Sequence, residues 1–536
     1  MSRLQQFAAG PEASPADQAV LIEALRNPAR YDHPVQEIRV RETHISWIIL
    51  TGTYAYKIKK AVDFGFLDFS TLAKRHFYCL EELRLNRRFA PDLYLDVIPL
   101  SGDRHRPQLR GTGRPLEYAV VMRQFPQDGL LSAIAARHGL TPAHVDEMAQ
   151  LVAAMHAQVD RATPDSPHGR PEDVHHWVME NFAHIRPSLQ DDGDRQALDR
   201  VGAWCQLEYH ARRDLVDERR HTGHVRECHG DLHLGNLAMI NGRITPFDGI
   251  EFNPQLRWID VMSEVAFLVM DLQDRGHAGL AWRFLDAYLK ETGDYAGVRL
   301  LNYYLVYRAL VRAKVAILRL GQPGLDMAGQ QAVRDEYHSY MALAGQCTGQ
   351  RRAALIITHG VSGSGKSWHA ARLVEQLGAI RIRSDVERKR LFGYAADADT
   401  GSGIQSGIYT AAASERTYEQ LARLARHVLD AGSPVIIDAA FLKRQERDRF
   451  RQLAAAAGVP FMMLVCNAPE DILRRRILMR QAADTDPSEA GIAVLEAQLK
   501  SREPPGADEQ GDSVTLEPGD VEPVAALADW IAGHMK

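Results

Sequence analysis

The sequence predicts two folded parts in one chain, an α+β part with two lobes followed by an α/β part with a parallel sheet wound by helices. The length of 536 residues exceeds what one hydrophobic core usually serves. Strand patterns up to residue 121 precede helical patterns from residue 130, which indicates a small β-rich lobe and a larger helical lobe. From residue 353, apolar runs alternate with helical stretches, as in a parallel sheet. We expect domains at 1–345 and 353–536, with a linker at 346–352 so short that the two halves touch.

Composition and charge are those of an ordinary globular protein. Apolar residues make up 45%, charged residues 25%, and the net charge is −5, so the chain as a whole is not attracted to nucleic acid or anionic membranes. The five cysteines are scattered and form no C-x-x-C pair, which argues against a disulfide framework or a zinc site. No signal-peptide pattern or membrane-spanning apolar run is present. We therefore expect a cytoplasmic protein with no membrane partner.

The first lobe is predicted element by element. Residues 16–25 predict a helix that ends at Asn27-Pro28. Strands are predicted from alternating apolar residues at 37–41, 45–50, 54–60, 93–100 and 116–121. A helix at 70–88 is predicted from the apolar stripe Leu72, Leu80 and Leu83, and 101–115 is predicted as a polar connection. Further helices are predicted at 261–274, 280–292, 298–321 and 330–343.

Two lysines on the third predicted strand are candidates for phosphate binding. Lys57 and Lys59 lie on the same face of the strand. Lys57 follows the apolar centre Tyr-Ala-Tyr, so we choose it as the lysine that holds the α- and β-phosphates of a nucleotide while it pairs with Glu82, or with the neighbouring Glu81. A solvated lysine on a strand edge is the alternative.

A second motif supplies the chemistry that such a lysine needs. The stretch His229-Gly-Asp-Leu-His-Leu-Gly-Asn236 has H-x-D-x-x-x-x-N spacing, and Asp248 follows twelve residues after Asn236. Phosphoryl transfer requires a carboxylate that accepts the acceptor's hydroxyl proton, here Asp231, and oxygen ligands for the metal, here Asn236 and Asp248. A hairpin with an Asn-Gly turn between them would bring these two ligands side by side. A polar surface loop is the alternative.

These residues resemble a known family. H-G-D-L-H-L-G-N with a following F-D-G is similar to the aminoglycoside phosphotransferase and choline kinase group, relatives of the protein kinases, over about residues 35 to 320. The resemblance implies a two-lobed protein-kinase-like domain in which Asp231 is the catalytic base and Asn236 and Asp248 bind Mg²⁺. It also implies that Asp260 supports the loop. Acids and bases are balanced between residues 160 and 226, so a polycationic aminoglycoside acceptor is not favoured over a small hydroxylated metabolite or a protein side chain.

The second half begins with a complete phosphate loop, G-x-x-x-x-G-K-S, between an apolar run and a helical stretch. Its glycines allow the backbone N–H groups to face phosphate oxygens. Lys366 would bridge the β- and γ-phosphates, and Ser367 would bind Mg²⁺. The predicted nucleotide-binding residues are Gly360, Gly363, Ser364, Gly365, Lys366 and Ser367.

Acidic and basic residues after the loop complete a second candidate site. Asp385 and Asp438 each follow an apolar run, where strand ends meet in a parallel sheet. We assign Asp385 as the base for an acceptor hydroxyl and Asp438 as a Mg²⁺ support through water. Arg476 and Arg480 lie one helical turn apart and could neutralise the transferring phosphoryl group, although a solvated helix face is the alternative.

This half resembles the small P-loop kinases, which include gluconate kinase, the zeta-toxin group and polynucleotide kinase, over about residues 353 to 505. The motifs that carry the resemblance are G-V-S-G-S-G-K-S, R-S-D-V-E-R-K-R, V-I-I-D-A and R-I-L-M-R. It implies that Asp385 and Arg388 face the acceptor. The tail is predicted as a loop at 504–522 followed by a helix at 524–535.

The sequence thus predicts an ATP- and Mg²⁺-dependent bifunctional phosphotransferase that acts on hydroxyl groups. The acceptor is a small molecule or a macromolecule. Two other functions stay open at this point. One is an ATP-gated regulatory or interaction protein, and the other is a nucleic-acid 5′-end kinase in the P-loop half, favoured by the basic clusters at 381–390 and 443–451.

Overall fold

The computed structural model describes residues 15–65, 67–320, 325–349, 353–398, 400, 407–483, 490–517, 529 and 533. Most of the predicted closing helix at 524–535 and part of the predicted linker lie outside these residues. The chain divides into two compact units. Unit 1 comprises residues up to Leu140, Met155–Asp173 and Leu215–Glu264, and unit 2 comprises Thr141–Ala154, Val174–Asp214 and the chain from Val265 onward.

The strands are β1 (Arg39–Glu42), β2 (Ser46–Leu50), β3 (Tyr54–Lys59), β4 (Tyr94–Asp103), β5 (Arg106–Leu109), β6 (Glu117–Arg123), β7 (Val225–Glu227), β8 (Leu237–Ile240), β9 (Arg243–Pro246), β10 (Trp258–Asp260), β11 (Leu355–His359), β12 (Ile380–Arg383), β13 (Val435–Asp438), β14 (Phe461–Cys466) and β15 (Ser513–Leu516). The helices are α1 (Pro15–Ala24), α2 (Leu72–Arg87), α3 (Leu131–Ala136), α4 (Pro142–Gln158), α5 (Pro171–Ile185), α6 (Asp192–His221), α7 (Pro254–Arg257), α8 (Val261–Asp274), α9 (Ala278–Thr292), α10 (Val298–Arg319), α11 (Met327–Cys347), α12 (Lys366–Leu377), α13 (Ser384–Leu391), α14 (Ala411–Asp430), α15 (Arg444–Ala457), α16 (Glu470–Ala483) and α17 (Ile492–Ser501). Among the described residues, no helix is long and apolar enough to cross a membrane.

Unit 1 is built on an antiparallel sheet with the strand order β1-β2-β3-β6-β4-β5. The predicted strands are present, but the polar connection at 101–115 contains strand β5, which pairs with the end of β4. The stripe predicted for α2 is also wrong in part, because Leu80 is 46% exposed. The buried face of α2 carries Arg75, Cys79, Glu82, Leu85 and Asn86. This face is polar because it meets lysines of the sheet, as described below.

Unit 2 contains a parallel sheet with the strand order β12-β13-β11-β14-β15. The three inner strands β13, β11 and β14 are mostly apolar and buried, as expected for parallel strands covered by helices on both faces, whereas β12 alternates isoleucine with Arg381 and Arg383. The predicted loop at 504–522 is wrong in part, since β15 pairs with the edge strand β14. Strand β15 has only four residues, so its sequence pattern alone cannot distinguish it from a loop; its pairing with β14 makes it a strand. The fold class predicted from the sequence is confirmed in both units.

Helix α9 packs directly on the P-loop part of unit 2. Trp282 joins the apolar cluster that includes Ala370, Leu373 and Val374 of α12. Arg283 pairs with Glu375 of α12 at 2.9 Å. Helices that follow the first lobe in sequence are therefore part of the surroundings of the phosphate loop.

Candidate active sites

In unit 1, a buried ion pair joins strand β3 to helix α2. Lys57 Nζ lies 2.8 Å from Glu82 Oε1 and also donates to the Asp248 carboxylate. Burial alone would lower the pKa of Lys57, but the Asp248 and Glu82 carboxylates raise it well above its ordinary value. The ammonium is thus held charged between two of the predicted site residues, where it can meet phosphate oxygens.

Lys59 belongs to the same network, although the sequence favoured Lys57 alone. Its Nζ lies 2.7 Å from Glu82 Oε2 and it also donates to Glu251. Burial opposes ionisation of Glu82, but the two lysines lower its pKa to about 2. Lys59 is fully buried and stabilises the Glu82 carboxylate through its second oxygen, whereas Lys57 also contacts Asp248. Glu251 belongs to no sequence motif that we identified, so its pairing with Lys59 could not be predicted from the sequence.

The predicted catalytic loop has the geometry that its spacing requires. Asn236 Nδ2 donates to Asp231 Oδ2 at 3.0 Å and to the Asp231 carbonyl at 2.9 Å. His229 Nε2 lies 2.9 Å from the Phe247 carbonyl, so this histidine braces the loop. Strands β8 and β9 form the predicted hairpin, and Phe247 N–H donates to the Asn236 carbonyl at 3.0 Å. This places Asp248 beside Asn236.

Glu264 supports the loop more directly than Asp260, which the resemblance indicated. Glu264 accepts hydrogen bonds from the backbone N–H groups of His229, at 3.1 Å, and Gly230, at 2.6 Å. His156 Nε2 lies 3.2 Å from the same carboxylate. Asp260 instead pairs with Arg219 at 2.7 Å. The sequence did not single out Glu264 because it lies more than thirty residues from the loop (34 from Gly230).

The residues of unit 1 fit a magnesium ion. Asn236 uses its amide nitrogen on Asp231, which leaves the amide oxygen as its ligand atom. The Asp248 backbone has a φ of 65° and its N–H donates to the Tyr94 hydroxyl at 2.9 Å, which fixes the side chain beside Lys57. Carboxylate and amide oxygens are the ligands that Mg²⁺ prefers.

In unit 2, the phosphate loop connects β11 to α12, as predicted. Gly360 has a φ of 150°, and a Cβ there would lie 2.5 Å from the Cys466 carbonyl oxygen, so only glycine fits. Lys366 Nζ donates to the Val361 carbonyl at 2.9 Å, which curls its side chain over the loop. Burial lowers the pKa of Lys366, while Asp438 opposes that shift.

The structure gathers the predicted residues of this half around one cavity of about 540 Å³. Its lining includes Gly363, Gly365, Lys366, Ser367, Asp385, Asp438, Arg476 and Arg480. Gly360 and Ser364 lie within the same loop but are not part of the lining. Arg476 Nη1 donates to the Gly363 carbonyl at 3.2 Å, and Arg480 Nη2 donates to the Ala490 carbonyl at 2.6 Å. Arg476 thus contacts the phosphate loop, whereas Arg480 lines the same cavity and binds the segment before α17.

The cavity also fits magnesium. Asp438 is 5% exposed, and its Oδ2 is buried without a hydrogen-bond partner. Arg381 and Arg383 lie 4.0 and 3.8 Å from this oxygen, too far for a hydrogen bond, and a buried carboxylate oxygen is costly without a close partner. Together with the Ser367 hydroxyl, it would provide oxygen donors for Mg²⁺ at the P-loop.

Comparisons with known proteins identify a matching family model and similar solved structures. A family model described as an AAA domain matches residues 355–505, which confirms the P-loop family predicted for the second half. A choline/ethanolamine kinase family protein from Mesorhizobium loti is 12% identical, covering 62% of this chain and 99% of its own, with a TM-score of 0.34. A gluconokinase from Sinorhizobium meliloti is 22% identical, covering 35% of this chain and 93% of its own, with a TM-score of 0.24.

One relative matches both halves at once. An uncharacterized protein of Mycobacterium tuberculosis is 30% identical over 469 residues, which cover 87% of this chain and 91% of the relative. The match includes more residues than either half contains, so it extends over parts of both halves. The chain belongs to the same protein family as this mycobacterial protein, and its second half carries the AAA domain.

Proposed function

We propose that the chain is a bifunctional ATP-dependent kinase, each half of which transfers the γ-phosphoryl group of Mg·ATP to a hydroxyl acceptor. The main support is that the P-loop cavity is lined by a complete phosphate-handling set: Lys366, Ser367, Asp385, Asp438, Arg476 and Arg480. An independent set in unit 1 joins Lys57, Glu82 and Asp248 by ion pairs. Intact carboxylates in both sets favour two active sites over a purely regulatory nucleotide sensor.

At the P-loop site, the residues divide the work of phosphoryl transfer. Lys366 and the backbone N–H groups of the loop bind the β- and γ-phosphates. Asp385, in the first turn of α13, accepts the proton of the acceptor hydroxyl. Arg476 and Arg480 offset the negative charge that spreads over the γ-phosphoryl oxygens. When bound, Mg²⁺ would neutralise phosphate charge next to Ser367 and Asp438.

In unit 1, Asp231 has the corresponding role of proton acceptor. Its Oδ2 accepts a hydrogen bond from Asn236, which fixes the orientation of the carboxylate. Lys57 binds the α- and β-phosphates, and Glu82 keeps it in place. When bound, Mg²⁺ would be held by Asn236 and Asp248.

The charges around the P-loop favour a small acceptor over a nucleic-acid end. Much of the predicted basic surface is ion-paired: Arg444 with Asp508 at 2.5 Å, and buried Arg447 with Glu509 at 2.7 Å. Arg383 and Arg388 face the cavity itself. Arg388 is 8% exposed and its Nε is buried without a hydrogen-bond partner. We infer that the acceptor is a small hydroxylated molecule with an anionic group.

The proposed compartment is the cytoplasm. In the described part of the chain no cysteine forms a disulfide, in keeping with a reducing environment.

The test is transfer of γ-labelled phosphate from ATP to the small molecules of a cell extract. The wild-type chain should label two products. Asp231→Asn should remove one of them and Asp385→Asn the other, because each variant lacks one base. Lys500→Ala, an exposed lysine on α17, is the control and should retain both. The proposal fails if either product survives both base substitutions, or if no product depends on either base.

A further inference from the structure

An arginine lies next to Asp438, the carboxylate proposed to support Mg²⁺ at the P-loop, and a closer contact would neutralise the charge of that carboxylate. Arg381 lies on β12, and its Nη1 is 4.0 Å from Asp438 Oδ2. Arg383, two residues later, places its Nε 3.8 Å from the same oxygen. Neither contact is a hydrogen bond, and Asp438 Oδ2 has no hydrogen-bond partner. Two guanidinium groups thus form long ion pairs, without hydrogen bonds, with the carboxylate that the magnesium site needs.

Asp286 of helix α9 holds Arg381 in this position. Arg381 Nη2 donates to Asp286 Oδ2 at 2.6 Å, and Nε lies 3.3 Å from Asp286 Oδ1. The remaining nitrogen, Nη1, donates to the backbone carbonyl of Ser367 at 3.2 Å. A two-point contact with a carboxylate fixes both the position and the plane of a guanidinium group. The side chains of Arg381 and Asp286 are 12% and 11% exposed, so solvent screens this contact weakly.

From this geometry we propose that Asp286 is a positioning residue for the P-loop site: it restrains Arg381 and so keeps Asp438 available to Mg²⁺. The inference rests on the proposed function of the P-loop half. Asp286 lies 95 residues before Arg381 in the chain and belongs to the region predicted as the first domain. The magnesium end of the P-loop site is therefore completed by a helix outside the AAA domain match.

The alternative is that Asp286 only helps α9 to pack. The two roles differ in what the loss of Asp286 does to Arg381. Without its partner, the buried guanidinium must find another acceptor, because an unpaired buried charge is costly. Asp438 Oδ2 is the carboxylate oxygen already within 4.0 Å. A closer, hydrogen-bonded ion pair there would compete with Mg²⁺, whereas a packing defect would lower stability without changing the magnesium requirement.

The experiment measures ATP binding to the full chain by calorimetry over a series of Mg²⁺ concentrations. Every variant carries Asp248→Asn, which removes the carboxylate ligand proposed for Mg²⁺ in unit 1, so that the P-loop site is observed. We expect Asp286→Asn to raise the Mg²⁺ concentration for half-maximal binding about tenfold, the scale of one charge-assisted hydrogen bond. Arg283→Gln is the matched control, because it removes a different ion pair of α9, with Glu375 of α12, and the Mg²⁺ requirement of this variant should equal that of the parent.

The double variant Asp286→Asn/Arg381→Gln separates restraint from packing. It removes the competing cation together with its restraint, so the Mg²⁺ requirement should return close to that of the parent. The inference is overturned if the double variant is as impaired as Asp286→Asn, or if Asp286→Asn leaves the requirement unchanged.

Lys366→Ala distinguishes these results from a failure of the proposed function. If Lys366→Ala does not weaken ATP binding, the P-loop is not the nucleotide site and both proposals fall; if it does, the Asp286 result concerns this inference alone.

Discussion

Lys57 and Glu82 form an ion pair of 2.8 Å in which both side chains are at most 7% exposed. Lys59 takes the second oxygen of the same carboxylate. One helix residue therefore pairs with two buried lysines of the sheet, and it helps to position Lys57, the lysine proposed to bind phosphate.

We predict that Glu82→Gln destabilises unit 1 by about 3 kcal/mol, because it leaves buried ammonium groups without full compensation. The measurement is the urea midpoint of the transition that reports on unit 1. Glu37→Gln is the control, since Glu37 pairs with Arg39 on an exposed strand and should change nothing measurable. Equal midpoints for the two variants would contradict the prediction.

The pH dependence of stability should show the contribution of Glu264. Burial raises its pKa, but hydrogen bonds and charge from His156, together with the Gly230 N–H, lower it to about 2 from the usual 4.5. A carboxyl group with a lowered folded-state pKa stabilises the fold above its unfolded pKa. That contribution is lost as the pH falls from 4.5 towards 2. Glu264→Gln should therefore flatten the acid limb of the unfolding profile in this window; an unchanged slope would argue against the assignment.

Gly230 should be essential to the catalytic loop for steric reasons. Its φ is 88°, and a Cβ would lie 2.8 Å from the Leu256 carbonyl oxygen. Gly52 has a similar φ of 93° but open space around it, so it is a matched control for backbone strain alone. We expect Gly230→Ala to lower the Asp231-dependent turnover about a hundredfold, the cost of a small misplacement of reacting groups, and Gly52→Ala to leave it nearly unchanged. Similar losses in both variants would indicate strain rather than displacement of the loop.

Arg476 and Arg474 lie on the same helix but have different partners. Arg476 contacts the phosphate loop and lines the cavity, whereas Arg474 pairs with the exposed carboxylates Glu470 and Glu496. Arg476→Ala should lower the Asp385-dependent kcat about a hundredfold, with a much smaller effect on ATP affinity. Arg474→Ala should retain the wild-type kcat. If the two variants had equal kcat values, Arg476 would belong to the solvated face of the helix.

The sequence by itself determined the parts of the structure that continuous stretches of residues form. Gly360 to Ser367 and Asp231 to Asn236 are continuous stretches whose spacing fixes the loop geometry, so the fold class and the two candidate sites could be predicted from them. The alternation of apolar runs with helical stretches likewise predicted the parallel sheet. A strand that is covered by helices on both faces needs a continuous apolar run, which can be read from the sequence.

Only the tertiary structure decided which side chains, far apart in the sequence, pair with one another through opposite charges. Lys59 meets Glu251 across 192 residues, His156 meets Glu264 across 108, and Arg381 meets Asp286 across 95. No short-range pattern encodes such pairs, because a buried charge takes as its partner the opposite charge that the packing of whole elements brings nearest. Strand β15 shows the same limit for the backbone, since four residues become a strand only through the edge of the sheet that they complete.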